Sequence, residues 1–157
     1  MFRPKLNNGA FPKDTASSST EALLNVLVTG SWILNALAAT MAPYGVTQAQ
    51  YNVLRILWGS HPKTLTCSAL GQRLLDRTPD VTRLLNRLER HGLIHRARDE
   101  HDRRVVQVGI TEAGLALLER MRDDIEAAEH RLTSHLSPSE HQHLSRLLER
   151  MRTDQQA

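Results

Sequence analysis

Apolar residues recur at helical spacing along most of the chain. Residues 22–50 contain no charged side chain, and their apolar content predicts a helix that is buried on most sides and ends near Gly45. Two shorter segments, about 48–59 and 66–75, predict further helices, and the first follows a capping-box sequence, T-Q-A-Q, that begins at Thr47. Residues 1–20 are polar and rich in Pro, Gly and Ser, which indicates a flexible N-terminal arm.

The segment from Thr78 to Gly92 predicts a helix with two different faces. Thr78 is a suitable N-cap, Pro79 fits the first helical position, and Gly92 can form a left-handed C-cap. One apolar stripe is formed by Val81, Leu84, Leu85 and Leu88. Asp80 complements the positive end of the helix dipole. The polar side chains on the rest of the surface are Thr82, Arg83, Asn86, Arg87 and Arg90. Arg and Asn match the guanine and adenine edges of a major groove, so this helix is a candidate DNA-recognition helix. Taken alone, it fits an ordinary solvated basic face better, and the segment that follows it changes that balance.

After Gly92 the apolar period changes from 3.6 to 2. Residues 93–98 and 103–110 alternate on either side of a polar tip, which predicts a β-hairpin. The arginines on its arms and tip are Arg96, Arg98, Arg103 and Arg104. Arginine binds narrow A·T-rich minor grooves, where the potential is strongly negative, and Asp102 could orient one guanidinium. A helix, a turn at Asp76-Arg77, a basic helix and this hairpin follow the order of a winged helix-turn-helix.

The C-terminal part predicts two more helices with apolar stripes. Thr111 should cap a helix of roughly 20 residues, and S-P-S-E from Ser137 is a second capping box. The first stripe contains Leu118, Met121, Ile125, Ala128 and Leu132, and the second contains Leu144, Leu147, Leu148 and Met151. Neither stripe has an obvious partner within a small winged helix, so together with the uncharged first helix they predict a dimer.

Composition and charge narrow the function classes. Cys67 is the only cysteine, which excludes an intramolecular disulfide and fits the cytoplasm. Residues 63–104 carry ten Lys and Arg against six Asp and Glu, whereas residues 112–157 carry six against nine. A basic middle joined to an acidic C-terminal part suggests a polyanion-binding module on a separate scaffold. A secretory signal in the uncharged segment is weighed and disfavoured, because polar residues interrupt the apolar run and the upstream arm is long.

The run from Leu74 to Gly114 closely resembles MarR-type winged helix-turn-helix transcription regulators. The matching features are the recognition helix, the G-L-I that leads into the wing, the D-R-R at Asp102, and the I-T-E-A-G that opens the next helix. The resemblance implies a mainly α fold with a small β-wing, six helices per subunit and an intertwined homodimer. It places a flexible arm over residues 1–20 and a single MarR-like domain over 21–157. Within that domain, 21–45 and 112–157 are dimerisation helices and 47–111 form the DNA-binding lobe.

The resemblance also assigns roles to particular residues. The recognition-helix positions that match DNA contacts are Thr78, Asp80, Thr82, Arg83, Asn86 and Arg87. The wing positions are Arg98, Asp102, Arg103 and Arg104, and Ser68 is placed to contact phosphate. Asp80 is a departure from the family pattern: it could accept a hydrogen bond from a cytosine amino group or serve only as a cap.

The family further implies a repressor that binds a pseudo-palindromic promoter operator and is released by a small aromatic or acidic ligand. Trp32, Tyr51 and Trp58 are guesses for the lining of a ligand pocket. Cys67 is more typical of a small buried hydrophobe than of a redox sensor. The histidines near the last interhelical turn, His130, His135, His141 and His143, fit solvated side chains better than a metal site.

Two rival functions are less consistent with the sequence. A winged-helix protein-interaction module would not need arginines on two DNA-shaped surfaces. The dimerisation domain of an enzyme is disfavoured because no catalytic domain follows before Ala157. The sequence therefore predicts a DNA-binding regulator that is not an enzyme, needs no cofactor or metal and does not bind a membrane.

Overall fold

The computed structural model describes residues 17–74, 80–99 and 102–153. These residues form six α-helices and a three-stranded antiparallel sheet. The helices are α1 (Ser18–Met41), α2 (Gln48–Trp58), α3 (Cys67–Arg73), α4 (Val81–Arg90), α5 (Glu112–Thr133) and α6 (Pro138–Arg152). The strands are β1 (Leu65–Thr66), β2 (Ile94–Arg98) and β3 (Val106–Ile110). The predicted winged helix-turn-helix with six helices is confirmed.

Polar caps set the helix boundaries. Thr47 and Ser137 form the two predicted capping boxes at the starts of α2 and α6, and Thr111 caps α5. A short 3-10 helix, Ala42–Tyr44, follows α1 and ends at Gly45, whose φ of 71° is left-handed. The start of α1 differs from the prediction. Ser17 is its N-cap, so residues 18–20, expected in the flexible arm, form the first turn of the helix.

The core lies where the winged-helix part of the chain, residues 47–111, meets α5. α5 packs against α1 and α2 of the same chain, and Met121, Ile125 and Ala128 are buried there. The expectation that the α5 stripe lacks an intramolecular partner is therefore wrong. The sequence could not show this packing because spacing along one helix does not identify the helix opposite.

The sheet connects the lobe to α5. β3 lies in the centre and pairs with β2 from Ile94↔Ile110 to Arg98↔Val106, and with the two residues of β1. Thr111, directly after β3, bonds to both sides of the junction: its hydroxyl donates to the Gly92 carbonyl (2.7 Å) and accepts from the Gly114 N–H (3.1 Å). Gly114 is required there, because a Cβ would lie 2.3 Å from the Leu93 carbonyl oxygen.

The apolar faces of α1 and α6 remain exposed in the described chain. The exposed side chains on α1 are Leu23, Val26, Leu27, Val28, Trp32 and Leu34, and those on α6 are Leu144, Leu147 and Met151. By length and composition alone, Ser18–Tyr44 is long and apolar enough to cross a membrane, a test that core helices of soluble proteins and signal sequences also pass. An apolar face of this extent on two helices normally packs against another surface.

Candidate nucleic-acid interface

The start of α4 is fixed by Asp80. Its carboxylate accepts a hydrogen bond from the Arg83 N–H (3.1 Å), which makes Asp80 the N-cap. The prediction of Thr78 as the cap, with Pro79 at the first helical position, is therefore wrong. Thr78 and Pro79 themselves lie outside the described residues, as do Leu75 and the predicted turn at Asp76-Arg77. The error has a physical cause, since Thr and Asp are both good caps and the sequence places them two positions apart.

The two faces of α4 separate as predicted. Leu85 and Leu88 are buried, and Val81 and Leu84 are half-buried against the core. The exposed side chains are Thr82, Arg83, Asn86, Arg87 and Arg90. The helix ends at Arg90 with His91 as its C-cap, and Gly92 follows with a φ of 68°, in the left-handed conformation that was predicted. The structure therefore presents one continuous polar, positively charged face at the position of a recognition helix.

The wing is shorter in its strands and longer in its tip than predicted. β2 ends at Arg98 and β3 begins at Val106, so Arg103 and Arg104 lie in the tip and not on a strand. The Asp99 N–H donates to the Val105 carbonyl (2.9 Å), and the Val105 N–H donates to the Asp102 carbonyl (2.9 Å). Within the described part of the tip, Arg103 and Arg104 are exposed and form no ion pair with a carboxylate.

Asp102 acts on the backbone instead of on a guanidinium. Its carboxylate accepts a hydrogen bond from the Arg104 N–H (2.9 Å), a bond that spans two residues within the turn. The expected pair between Asp102 and an arginine side chain is not formed among the described residues. Asp102 therefore stabilises the backbone turn that carries Arg103 and Arg104, and does not orient a guanidinium directly.

Arg96 differs from the other wing arginines. Its Nε donates to Glu89 Oε2 at 3.0 Å and its Nη2 also contacts that oxygen, while Nη2 donates to Asn86 Oδ1 at 2.6 Å. The hydrogen bond from Arg96 lowers the pKa of Glu89, which keeps the carboxylate ionised. Sequence reasoning missed this contact. A Glu near the end of one helix and an Arg on the following strand were its only signal.

Ser68 and Cys67 lie at the beginning of α3. Ser68 is exposed in the first turn, where its hydroxyl is accessible to a phosphate. Cys67 is partly buried and packs against the core, in agreement with its interpretation as a small hydrophobe. Thr66 caps this helix by accepting a hydrogen bond from the Ala69 N–H (3.1 Å), and also pairs with Gln107 of β3.

A cavity of about 540 Å³ lies between α2 and α5. Tyr51 and Trp58 line this cavity, whereas Trp32 lies on α1 and is 52% exposed. The charged lining comprises Arg55, Arg122, Glu112, Glu119, Glu126 and Glu129. Arg122 pairs with Glu119, and the Arg55 guanidinium stacks 4.9 Å from the centre of the Trp58 ring. Burial raises the pKa of Tyr51, so its phenol stays protonated.

The clustered histidines do not form a metal site in the described chain. No group of three or more His, Cys, Asp or Glu residues in that part is arranged to hold a metal ion. His141 is the only one of the four with a described hydrogen bond, between its Nε2 and the Thr133 carbonyl (3.1 Å). His130, His135 and His143 are exposed.

A recognition helix with an exposed polar face, followed by a wing with arginines at its tip, defines a winged-helix DNA-binding protein. A model of the MarR family matches residues 46–106. A crystal structure of a MarR transcription factor from Planctomyces limnophilus is 32% identical, with a TM-score of 0.68, and the match covers 86% of this chain and 98% of that one. The chain belongs to the MarR family of transcription regulators.

Two curated relatives extend the comparison. The organic hydroperoxide resistance transcriptional regulator of Bacillus subtilis is 38% identical over 78 residues, which is 50% of this chain and 52% of the relative. The match therefore spans about half the length of that relative. The homoprotocatechuate degradative operon repressor of Escherichia coli is 29% identical over 106 residues, covering 68% of this chain and 70% of the relative.

Proposed function

We propose that the protein is a cytoplasmic homodimer that binds a pseudo-palindromic promoter operator, represses transcription and has no catalytic activity. The observation that carries this proposal is the joint exposure of the α4 polar face and the wing-tip arginines, Arg103 and Arg104. Repression is supported by the E. coli relative, which is described as an operon repressor. Two recognition helices of a dimer should lie one DNA turn apart, about 34 Å.

The α4 side chains would read bases, and the other contacts would fix the position of the protein on DNA. Arg83, Arg87 and Asn86 carry the donors and acceptors that suit base edges, each worth about 1–3 kcal/mol of discrimination. Thr82 lies on the same face, and Thr78 is proposed to contact DNA from the sequence alone. Asp80 is engaged as a cap, so we assign it no base.

The wing and Ser68 would contact the backbone and the minor groove. Arg104, Arg103 and Arg98 would supply most of the charge in these contacts, and the Ser68 hydroxyl would donate to a phosphate. Because each neutralised phosphate releases counterions, these contacts should make binding strongly salt-dependent, with a slope of about −0.9 per phosphate. Asp102 would support them by holding the turn.

Fluorescence anisotropy across a salt series tests the proposal. The protein should bind DNA from upstream of its own coding region more tightly than scrambled DNA, with a steep salt slope. Arg103→Ala with Arg104→Ala should weaken binding to all sequences and reduce the slope by about 2 per subunit. Arg120→Ala removes one exposed arginine from the middle of α5, away from both proposed surfaces, and should change neither quantity.

The outcomes separate the rival functions. A steep slope without sequence preference would leave a DNA-binding protein whose operator lies elsewhere in the genome. Unchanged affinity in the wing double variant would contradict the wing role. An absence of binding even at low salt would favour the protein-interaction module.

Dimerisation is proposed to use α1, α6 and the end of α5. The exposed apolar residues on α1 and α6 support this proposal. Residues 47–111 would then form the DNA-binding lobe, between the two dimerisation segments. Covering these faces by a second copy would bury both stripes at once, which is the arrangement of a symmetric interface.

We propose that the cavity between α2 and α5 binds the regulatory ligand. Its lining favours a neutral or cationic molecule over the acidic ligand that the resemblance first implied. Four carboxylates face two guanidiniums there, and both guanidiniums already have partners within the chain. Trp58 and Tyr51 would pack against an aromatic or a quaternary ammonium group.

Release of labelled DNA by paired compounds of one shape and different charge tests the ligand class. An aromatic amine should release DNA at lower concentration than the corresponding aromatic acid. Glu126→Gln with Glu129→Gln should reduce that difference. A lower effective concentration for the acid would contradict the assignment.

A further inference from the structure

The guanidinium of Arg96 joins the sheet to the recognition helix. Arg96 lies on β2, and its partners Asn86 and Glu89 are three residues apart on α4. Residues at this spacing are neighbours on a helix surface, so one planar guanidinium can contact both. The Arg96 side chain is only 24% exposed, compared with 39% for that of Glu89.

We propose that Arg96 is a positioning residue, which fixes the side-chain amide of Asn86 and so sets the base that Asn86 reads, without itself contacting DNA. This inference rests on the proposed function of α4 as a recognition helix. It assigns to Arg96 a role distinct from that of Arg98, Arg103 and Arg104.

The chemistry of the two side chains fixes the amide. Arginine has donors and no acceptor, so the atom of Asn86 that faces Arg96 must be the carbonyl oxygen. The distance of 2.6 Å from Arg96 Nη2 to Asn86 Oδ1 is that of a strong, charge-assisted hydrogen bond. The amide NH₂ of Asn86 then points away from Arg96, and Oδ1 keeps one lone pair free. This arrangement leaves a donor and an acceptor for an adenine edge.

Loss of Arg96 would release this constraint. The last torsion of an Asn side chain is broad and nearly twofold, so the oxygen and nitrogen ends exchange at little cost when no partner holds them. An amide free to present either end can match several base edges. The base preference at that position should then relax, although Asn86 itself is unchanged.

The existing partners of Arg96 argue against a phosphate role. Glu89 neutralises the guanidinium, and two of its nitrogens already donate within the chain. Arg98 lies two residues further along the same strand, is exposed and forms no ion pair in the described part of the chain. Arg98 therefore provides a matched control for an arginine that contacts phosphate.

The experiment uses the full-length protein and a duplex that it selects from a randomised library. Dissociation constants are measured for all four bases at each position, for wild type, Asn86→Ala, Arg96→Ala and the double variant. Asn86→Ala should abolish the base preference at one base pair of the duplex. At that base pair, we expect Arg96→Ala to lower the preference for the favoured base by about tenfold. The double variant should show no further loss, and Arg96→Ala should leave the salt slope unchanged.

Arg98→Ala should behave in the opposite way. It should weaken binding to all four bases, reduce the salt slope by about 1 and preserve the base preference. If Arg96→Ala matches this pattern, Arg96 contacts phosphate and the proposal is overturned. If Arg96→Ala changes affinity but not preference, its role is only structural, which also overturns the proposal.

A milder variant and a measurement without DNA keep the proposal testable if Arg96→Ala does not fold or if the protein does not bind DNA. Glu89→Gln keeps an oxygen acceptor for Arg96 but removes the charge, and should relax the same base pair to a smaller extent. In the free protein, NMR should show slow exchange of the Arg96 Nε–H and a shift of the Asn86 side-chain amide in Arg96→Lys. If wild type selects no sequence, the proposed function fails and the claim of base selection fails with it. NMR would still show whether Arg96 holds Asn86.

Discussion

The winged-helix lobe, residues 47–111, and the terminal helices α1 and α6 place leucines in opposite environments. In the lobe, Leu85 and Leu88 are 1% and 0% exposed, whereas Leu27 of α1 and Leu147 of α6 are 67% and 41% exposed. Leu85, Leu88 and Leu147 lie on amphipathic helices, whereas Leu27 lies on the largely uncharged helix α1, and each of the three helices has a polar N-cap. The difference shows that periodicity predicts which face will be covered but not which molecule covers it. The lobe completes its core within one chain, and the terminal helices require a second surface.

The largest expected effect is on the stability of the lobe. Leu88→Ala should lower the free energy of unfolding by about 2–5 kcal/mol, because a fully buried leucine leaves a cavity. Leu27→Ala should lower the free energy of unfolding less at low protein concentration and more at high concentration, because the surface that covers Leu27 belongs to another molecule. Urea denaturation at several protein concentrations measures both. An equal, concentration-independent loss for the two variants would contradict the comparison.

A charge on α1 tests the second surface directly. Leu27→Glu should weaken dimerisation at least tenfold, because an unpaired buried carboxylate costs more than the about 1–3 kcal/mol of an unpaired neutral polar group. Ala113→Glu, in the first turn of α5, is an exposed control that should leave the dimer intact. Sedimentation equilibrium measures the association constant. A dimer of unchanged affinity in Leu27→Glu would place the interface elsewhere.

The two regions also contain matched helix caps. Asp80→Ala in the lobe and Ser137→Ala at α6 should each destabilise their helix by about 1 kcal/mol. Asp80→Ala should lower DNA affinity and leave the dimer constant unchanged, since only α4 loses its cap. Ser137→Ala should weaken dimerisation more than it lowers DNA affinity, since only α6 loses its cap. Anisotropy and sedimentation on both variants provide the test, and an exchange of the two phenotypes would contradict the division of the chain.

The smallest effect concerns pH. The pKa of Glu89 is lowered by the hydrogen bond from Arg96, and that of Glu140 by hydrogen bonds from Ser137. Because both folded-state values lie below the ordinary 4.5, each ionised carboxylate stabilises the fold above that pH, and the contribution is lost as pH falls through the lowered value. Glu89→Gln and Glu140→Gln should therefore lower the urea midpoint at pH 7 and approach wild type near pH 3. A difference that grows on acidification would contradict this explanation.

Much of the fold could be predicted from local sequence signals. The capping boxes at Thr47 and Ser137, the glycines at 45 and 92, and the change of period after Gly92 determine most element boundaries. These signals act within a few residues of one another, so a single sequence contains them. The exposure of the α4 polar face followed from the same reasoning.

The missed features depend on contacts between elements. The Arg96 contact with Glu89 and Asn86 crosses the turn between α4 and β2 and has no periodic signature. Trp32 does not line the cavity because it lies on the exposed side of α1. The sequence did not show which side of α1 is exposed, because residues on every side of this helix are uncharged. The Asp102 carboxylate was expected to pair with an arginine guanidinium. It accepts a hydrogen bond from the backbone N–H of Arg104 instead, two residues away in the same turn.

The junction at Thr111 has a mechanical consequence. Its hydroxyl ties the end of the recognition helix, through Gly92, to the first turn of α5, and the Thr111 N–H also donates to the Leu93 carbonyl (3.1 Å). Gly114 leaves no space between these segments. The first turn of α5 is therefore fixed to the end of α4. In the proposed dimer, a tilt of α5 would move α4 with it and would change the distance between the two α4 helices.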